Sequence, residues 1–196
     1  MDTDKQSKIL NQYIDQYQPT ISSTLIALRA NKNNLHIPYA QFLFSVIDYY
    51  GLLYTVATAR RFDKRNPQNF KDFIASDYFP KKDRCKGSFL YFIRNGLIHQ
   101  IFAKGSGVGT SASNTLFYKD TSNGDNATLN LNYLDSVSIT AIESFINDLK
   151  TNTVYIDNLF DLLITTNYGF NDHAELTYEI VNSFGGDMNK VFQDCA

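Results

Sequence analysis

Apolar residues in the first thirty positions recur every three or four residues, which is the period of an amphipathic helix. They form two stripes, which consist of Ile9, Leu10, Tyr13, Ile14 and Tyr17, followed by Ile21, Leu25 and Leu28. Pro19 lies between the stripes, and proline lacks the backbone N–H that a helix interior needs. We therefore predict that the first helix stops at Pro19 and that a second short helix follows it.

A broader apolar face predicts one long helix from about Pro38 to Arg61. The members of this face are Phe42, Val46, Tyr49, Tyr50, Leu53 and Val56. His36 precedes Pro38 and is expected in the loop before this helix, where a surface or capping role is the usual one for a histidine.

Three shorter patterns lead to the segment of greatest interest. Phe70 and Phe73 predict a short helix, and residues 78–80 (Tyr-Phe-Pro) predict a turn. A further helix, here named the motif helix, is predicted from about Asp83 to Lys104. Asp83 is the expected N-cap, and the glycine that follows Lys104 is the expected end.

The chain changes character after the motif helix. Residues 105–111 are too rich in glycine and serine for regular structure, and two alternating segments around Asn123-Gly124 predict a β-hairpin over about residues 115–133. Helical patterns return at about 136–150, 155–166 and 172–183. The sequence therefore predicts one all-α domain over residues 1–196, with a small β-hairpin insert after the motif helix and C-terminal helices over about 136–184.

Composition limits the function classes. A chain of 196 residues with 43% hydrophobic residues fits one globular domain. We expect no membrane span, because charged or polar residues interrupt the apolar stretches before about 20 residues are reached, and the polar N-terminus predicts a cytoplasmic protein. Cys85 and Cys195 lie far apart and are expected to be free thiols, and no cysteine or histidine pair has the spacing of a zinc site.

The net charge of −2 conceals a basic segment. Residues 60–104 contain eleven Lys or Arg and four Asp, whereas residues 105–196 contain three Lys and twelve Asp or Glu. Such a run is usually a solvated charged face, and the alternative is a footprint for RNA phosphates. The candidate RNA-binding residues are Arg60, Arg61, Lys64, Arg65, Lys81, Lys82, Arg84, Lys86 and Lys104.

The motif helix contains the one arrangement that indicates chemistry, Arg94-Asn95-Gly96-Leu97-Ile98-His99. At 100° per residue, Asn95 and His99 lie about 40° apart on one face, whereas Arg94 and His99 diverge by about 140°. Arg94 must therefore reach around the helix or meet a partner from elsewhere. Gly96 costs roughly 1 kcal/mol relative to alanine in a helix interior, and it would allow another helix or a substrate to approach closely.

Other catalytic and phosphate-binding motifs are absent from the sequence. There is no HExxH motif and no Gly-x-Ser-x-Gly motif, and His173 lies at a predicted helix start, where a capping or surface role is expected. The glycines at 105, 107 and 109 follow a helix and lack the Lys-Ser/Thr end of a phosphate-binding loop, so they predict a flexible connector.

The arginine, the four intervening residues and His99 resemble the motif of the HEPN domains, in which an arginine, often followed by asparagine, precedes a histidine by four to six residues. The resemblance covers about residues 40 to 150 and includes Phe42–Leu53, Asn69–Ile74 and the Tyr-Phe-Pro turn, as in a bacterial subgroup of uncharacterised plasmid and genomic proteins.

The resemblance implies a helical bundle of HEPN type and a metal-independent RNA endonuclease that uses no cofactor. It further implies a homodimer in which two motif helices face each other, with Arg94, Asn95 and His99 as the catalytic residues. A role as a toxin with a cognate antitoxin, or in defence against phage, rests on the resemblance alone.

The residue types suit RNA cleavage through the ribose 2′-hydroxyl. An imidazole with a pKa near 6.5 transfers protons at neutral pH, a guanidinium binds phosphate oxygens, and Asn95 could orient His99 or bind substrate. Two other hypotheses stay open. One is a non-catalytic module that binds RNA or nucleotide in the same cleft, and the other is a helical dimerisation module in which the motif is structural.

Overall fold

In a computed structural model, the described residues are 3–32, 34–59, 67–100, 107–121 and 126–160. These residues form six α-helices, one short 3₁₀ turn and a small three-stranded sheet. The helices are α1 (Thr3–Ala30), α2 (His36–Ala59), α3 (Pro67–Ala75), α4 (Gly87–Gln100), α5 (Leu131–Thr151) and α6 (Thr153–Leu159). The strands are β1 (Gly107–Gly109), β2 (Phe117–Asp120) and β3 (Asn126–Asn130). The prediction of a mainly helical fold is confirmed.

Helix α2 forms the centre of the domain and contacts α1, α3, α4, α5 and α6. Its buried residues lie on all sides of the helix, as expected for an element that other helices surround. They are Tyr39, Ala40, Leu43, Phe44, Val46, Ile47, Tyr50, Gly51, Leu53, Thr55, Val56 and Ala57. The predicted long helix is confirmed, but His36 is its first residue, so the loop expected at His36 is wrong.

The same helix is the one element of the described residues that is long and apolar enough to cross a membrane. This differs from the expectation that no segment would qualify. However, 56% of its apolar window is buried inside the domain, where five other helices contact it. Its apolar character is that of a core helix.

Helix α3 packs closely on α2 because α2 has a glycine at the crossing. A Cβ atom added to Gly51 would lie 2.8 Å from the backbone oxygen of Asn69 and 3.2 Å from Cα of Phe70. No side chain fits in that space without a shift of the α3 backbone. Gly51 therefore sets the separation of the two helices, and the short helix predicted around Phe70 is confirmed.

Helix α1 runs without a break through Pro19, so the predicted stop there is wrong. Ile14 and Leu25, on either side of the proline, are each 5% exposed. They are eleven residues apart, which places them within about 20° of each other on the same helix face. Burial of this continuous face holds the helix together across the residue that lacks an N–H donor.

The motif helix begins later than predicted. Arg84–Lys86 form a 3₁₀ turn, and the α-helix proper starts at Gly87. Asp83 makes no side-chain capping bond. Its carboxylate instead accepts hydrogen bonds from Nζ of Lys86 at 2.7 Å and from the hydroxyl of Tyr133 at 2.7 Å. The predicted end near Lys104 lies outside the described residues.

The predicted hairpin is confirmed, with β2 antiparallel to β3, and it belongs to a sheet with the order β1-β3-β2. Strand β1 pairs in parallel with β3 and lies in the glycine-rich segment, so the expected lack of regular structure there is wrong. A Cβ on Gly107 would lie 2.8 Å from Oγ1 of Thr128. At Gly107 the small residue therefore permits close packing beside Thr128.

The helices after the sheet agree with the predicted pattern where they are described. Helix α5 begins at Leu131, five residues earlier than expected, so Tyr133 belongs to this helix and not to the hairpin. The side chain of Asn152 caps α6 by accepting bonds from the backbone N–H groups of Val154 and Tyr155. The helix predicted at 172–183, together with His173 and Cys195, lies outside the described residues.

Candidate active site

Helix α4 has a buried face and a solvent face, and the motif lies across both. Leu90, Ile93 and Leu97 are at most 1% exposed and pack into the core. Phe92 and His99 are exposed and lie seven residues apart, which is about 20° around the helix and about 10.5 Å along it. The motif therefore starts beside the core and ends in solvent.

Arg94 is anchored to the central helix. Its Nε donates a hydrogen bond to Oδ2 of Asp48 at 2.6 Å, and its Nη2 lies 2.5 Å from the same oxygen. The side chains of Arg94 and Asp48 are 19% and 25% exposed. The guanidinium carbon also lies 5.5 Å from the ring centroid of Tyr91, a cation–π distance. These contacts hold the guanidinium in one orientation at the edge of the core.

Asn95 continues this chain of contacts toward His99. Nη1 of Arg94 donates a hydrogen bond to Oδ1 of Asn95 at 2.9 Å. This bond draws the guanidinium around the helix toward Asn95, which lies one turn before His99 and about 40° from it. The amide oxygen of Asn95 is thus used by Arg94, and its expected role in orienting His99 stays a prediction.

His99 is exposed in the last turn of α4. Its attachment point on the helix is about 140° from that of Arg94, so one chain does not direct both side chains to the same point. The structure brings Arg94 and Asn95 together and leaves His99 facing outward beside them. An active site built from these groups needs either substrate between them or a second copy of the chain.

Two residues that the sequence pattern did not single out, Asp48 and Gln41, complete the surroundings of the motif. Burial raises the pKa of Asp48 above its ordinary value, and the neighbouring Arg94 opposes that rise only in part. Nε2 of Gln41 donates a hydrogen bond to the backbone oxygen of Leu97 at 2.6 Å, a second link between α2 and α4. Asp48 did leave a signal, because it is the only Asp, Glu, Lys or Arg in the 24 residues of α2.

The described members of the predicted RNA footprint differ in how much positive charge they present. Lys81 and Lys82 are exposed, and the ammonium of Lys82 contacts neutral groups, namely the backbone oxygen of Asn114 at 2.8 Å and the ring of Tyr133. Arg84 is paired with a carboxylate, that of Asp77.

Lys86 is likewise paired, with Asp83. Lys81 and Lys82 are therefore the better phosphate ligands of the four. Arg60, Arg61, Lys64, Arg65 and Lys104 lie outside the described residues.

Cys85 is an exposed free thiol, as predicted.

Among the described residues, no three His, Cys, Asp or Glu side chains are grouped so that they could hold a metal ion. Comparison with known proteins adds no relative, because the chain matches no protein-family model, no curated protein and no solved structure.

Proposed function

We propose that this protein is a metal-independent RNA endonuclease of HEPN type that acts in the cytoplasm, at a site formed across a homodimer. The observation that carries the proposal is an exposed imidazole, His99, on the same helix as a guanidinium that Asp48 and Asn95 hold in place. These are the two kinds of group that cleavage of RNA by its own 2′-hydroxyl requires. The spacing of the motif, which resembles that of HEPN domains, supports the assignment.

The reaction needs two proton transfers and one site for negative charge. One imidazole takes the proton of the 2′-hydroxyl, whose oxygen then bonds to phosphorus. The bond from phosphorus to the 5′-oxygen breaks, and a protonated imidazole gives that oxygen its proton. The products are a 2′,3′-cyclic phosphate and a 5′-hydroxyl. Two copies of His99, one from each protomer, would divide the two proton transfers.

Arg94 can bind phosphate without leaving its place. A guanidinium has five N–H donors, and the contacts with Asp48 and Asn95 use three of them. Two donors are left for non-bridging phosphate oxygens. Because the side chain is already ordered, little further conformational entropy is lost when substrate binds.

A dimer would resolve the angular separation of Arg94 and His99. If two α4 helices face each other, the guanidinium of one protomer and the imidazole of the other can border the same cleft. Light scattering on the purified protein should then give twice the 22.3 kDa of one chain. A monomer at concentrations where the protein cleaves RNA would contradict a shared site.

The test of activity is cleavage of labelled single-stranded RNA in excess EDTA, with analysis of the product ends. We expect cyclic phosphate ends, and we expect loss of cleavage in His99→Ala and Arg94→Ala. Arg29→Ala is the matched control, because Arg29 pairs with Asp135 as Arg94 pairs with Asp48. Cleavage that survives both motif substitutions, or cleavage of DNA, would contradict the proposal.

A second candidate is a helical dimerisation module in which the motif is structural. The ion pair of Arg94 with Asp48 favours the structural role of the motif, because this contact ties α4 to α2 within one chain. Under this alternative, Arg94→Ala lowers the melting temperature, and no preparation cleaves or binds RNA. RNA binding without cleavage, weakened by the same substitution, would instead identify a non-catalytic binding module.

A further inference from the structure

A half-open cleft lies between α1, α2 and α5, and the proposed chemistry does not use it. Its volume is about 160 Å³. Aliphatic side chains from all three helices line it, and three of them, Leu25, Val46 and Ile142, are at most 6% exposed. The aliphatic lining consists of Ile21, Leu25, Ile26, Val46, Ile139 and Ile142. We name this space the apolar cleft.

The apolar cleft lies on the opposite side of α2 from the motif. Val46 and Tyr50 line the cleft. Each is two residues from Asp48, which places Asp48 about 160° away from both around the helix. Asp48 instead contacts Arg94 on α4. A ligand in the cleft would not touch the motif, so an inference about the cleft goes beyond the proposed function and does not rest on it.

The cleft offers one buried hydroxyl to a ligand. Tyr50 is 3% exposed, and its hydroxyl makes no hydrogen bond to another described residue. Burial raises the pKa of Tyr50 to about 12, so the hydroxyl stays protonated at neutral pH. A buried tyrosine hydroxyl usually has a hydrogen-bond partner, and it can both donate and accept. Because Tyr50 lines the cleft, a ligand bound there can supply this partner.

The charges at the cleft disfavour an anionic ligand. Arg29 lines the cleft, but its Nη2 donates a hydrogen bond to Oδ1 of Asp135 at 2.9 Å, and its Nε lies 2.8 Å from Oδ2. This guanidinium is therefore already neutralised. Glu143 also lines the cleft and adds an exposed carboxylate. A fatty acid or another carboxylate would meet net negative charge, whereas an uncharged molecule would not.

The volume of the cleft limits the ligand to a single ring. An engineered cavity of about 150 Å³ with an apolar lining binds benzene, whereas pockets for drug-sized ligands measure about 300–1,000 Å³. A ring with one or two substituents, which has about seven or eight non-hydrogen atoms, matches the smaller size.

We propose that the apolar cleft binds an uncharged small molecule with one ring and one hydrogen-bonding group. The ring lies among the aliphatic side chains, and the hydrogen-bonding group pairs with the hydroxyl of Tyr50. The ring also covers part of Ile26, which is 62% exposed without a ligand. This arrangement satisfies the buried hydroxyl and removes apolar surface from water at the same place.

The test is a titration of the full chain with p-cresol and with toluene, which lacks the hydroxyl, followed by NMR of the protein amides. We expect p-cresol to bind with a dissociation constant on the order of 0.1–1 mM. Tyr50→Phe should weaken binding of p-cresol about fivefold relative to toluene, because only p-cresol loses a hydrogen bond. Retained binding of toluene would show that the cleft of this variant is intact.

A pair of serine substitutions locates the binding. Ser22 lines the cleft and is exposed, so Ser22→Trp should fill the cleft and abolish binding of both compounds. Ser23→Trp is the matched control, because Ser23 is the next residue on α1 and is also exposed but is not part of the lining. It should leave both affinities unchanged.

Four results would overturn the proposal. The first is an absence of saturable binding of p-cresol up to about 10 mM. The second is binding that persists in Ser22→Trp, and the third is a ratio of p-cresol to toluene affinity that Tyr50→Phe does not change. The fourth concerns charge. The anion p-toluate should bind at least about tenfold more weakly than p-cresol, and tighter binding of p-toluate would assign the cleft to an anion.

Discussion

The ion pair between Arg94 and Asp48 gives the sharpest test of how the motif is held. Both side chains are mostly buried. The contribution of the ion pair to the free energy of unfolding should therefore lie between two limits, which are about 0–1 kcal/mol for an exposed pair and about 3–5 kcal/mol for breaking a buried pair. We expect a coupling energy of about 1–2 kcal/mol from a double-mutant cycle of Arg94→Ala and Asp48→Ala, measured by urea unfolding at pH 7. The exposed pair Lys150–Asp15 is the reference and should give less than about 0.5 kcal/mol.

The two single substitutions should not cost the same. Arg94→Ala leaves a partly buried carboxylate without its cation, whereas Asp48→Ala leaves a long guanidinium that keeps Asn95 and can extend toward water. Arg94→Ala should therefore lower the free energy of unfolding more than Asp48→Ala does.

The difference should depend on pH, because burial already raises the pKa of Asp48 and loss of Arg94 raises it further. A carboxyl whose pKa is higher in the folded state stabilises the fold below its unfolded pKa. That stability is lost as the pH rises through the folded value. The deficit of Arg94→Ala should thus shrink as the pH falls from 7 toward about 4. Additive costs in the cycle, together with a deficit that does not vary with pH, would show that Arg94 and Asp48 do not stabilise each other.

Three further predictions concern single residues. His99→Ala should change the free energy of unfolding by less than about 0.5 kcal/mol, because His99 is exposed, while it abolishes RNA cleavage in EDTA. Gly51→Ala should destabilise the protein in urea by about 1–3 kcal/mol, because its Cβ would meet the backbone of Asn69 at 2.8 Å. Burial and the hydrogen bond to Asp83 raise the pKa of Tyr133 to about 12. The stability that Tyr133 provides over Tyr133→Phe should therefore be complete below about pH 10 and disappear as the pH rises through about 12, which thermal melts across this range would measure.

Apolar periodicity located most helices, because a helix that packs on the core needs apolar residues at helical spacing along its buried face. The face of α2 and the short helix at Phe70 follow directly from apolar spacing, and both are present. Pro19 misled the prediction, since the local cost of a proline was weighed without the burial of Ile14 and Leu25 on either side. Local rules describe one residue at a time, whereas a buried helix face acts over several turns.

The prediction that the glycine-rich segment lacks regular structure was wrong for a related reason. Its composition describes a flexible chain, but a strand in β1 needs only a neighbouring strand to supply its hydrogen bonds. The partner, β3, lies about twenty residues further along the chain. A pattern of neighbouring residues does not reveal pairing between strands so far apart in the sequence. The sequence therefore predicts the hairpin of β2 and β3 but not the pairing of β1 with β3.

The sequence identifies the motif residues of the candidate site, but it does not identify the residues that contact them. Arg94, Asn95 and His99 stand out by spacing within one helix, but the partner of Arg94 is 46 positions earlier. Asp48 is visible in the sequence as a lone carboxylate in an apolar helix, a position that usually requires a cation nearby. Which cation it meets depends on how α2 and α4 pack, and that information is distributed over the whole core.

The contact with Asp48 has two opposite effects on Arg94, and their balance bears on catalysis. It fixes the guanidinium before substrate arrives, which favours reaction because ordering costs nothing at that moment. It also cancels part of the positive charge, which weakens binding of a phosphate diester with one negative charge. The phosphorane that forms during cleavage carries more negative charge than the diester and gains more from the two donors that remain. Partial neutralisation by Asp48 weakens both interactions, and it weakens the one with the more highly charged phosphorane more. The contact therefore favours the proposed reaction only by ordering the guanidinium, and through this ordering Asp48 makes α2 a part of the proposed site.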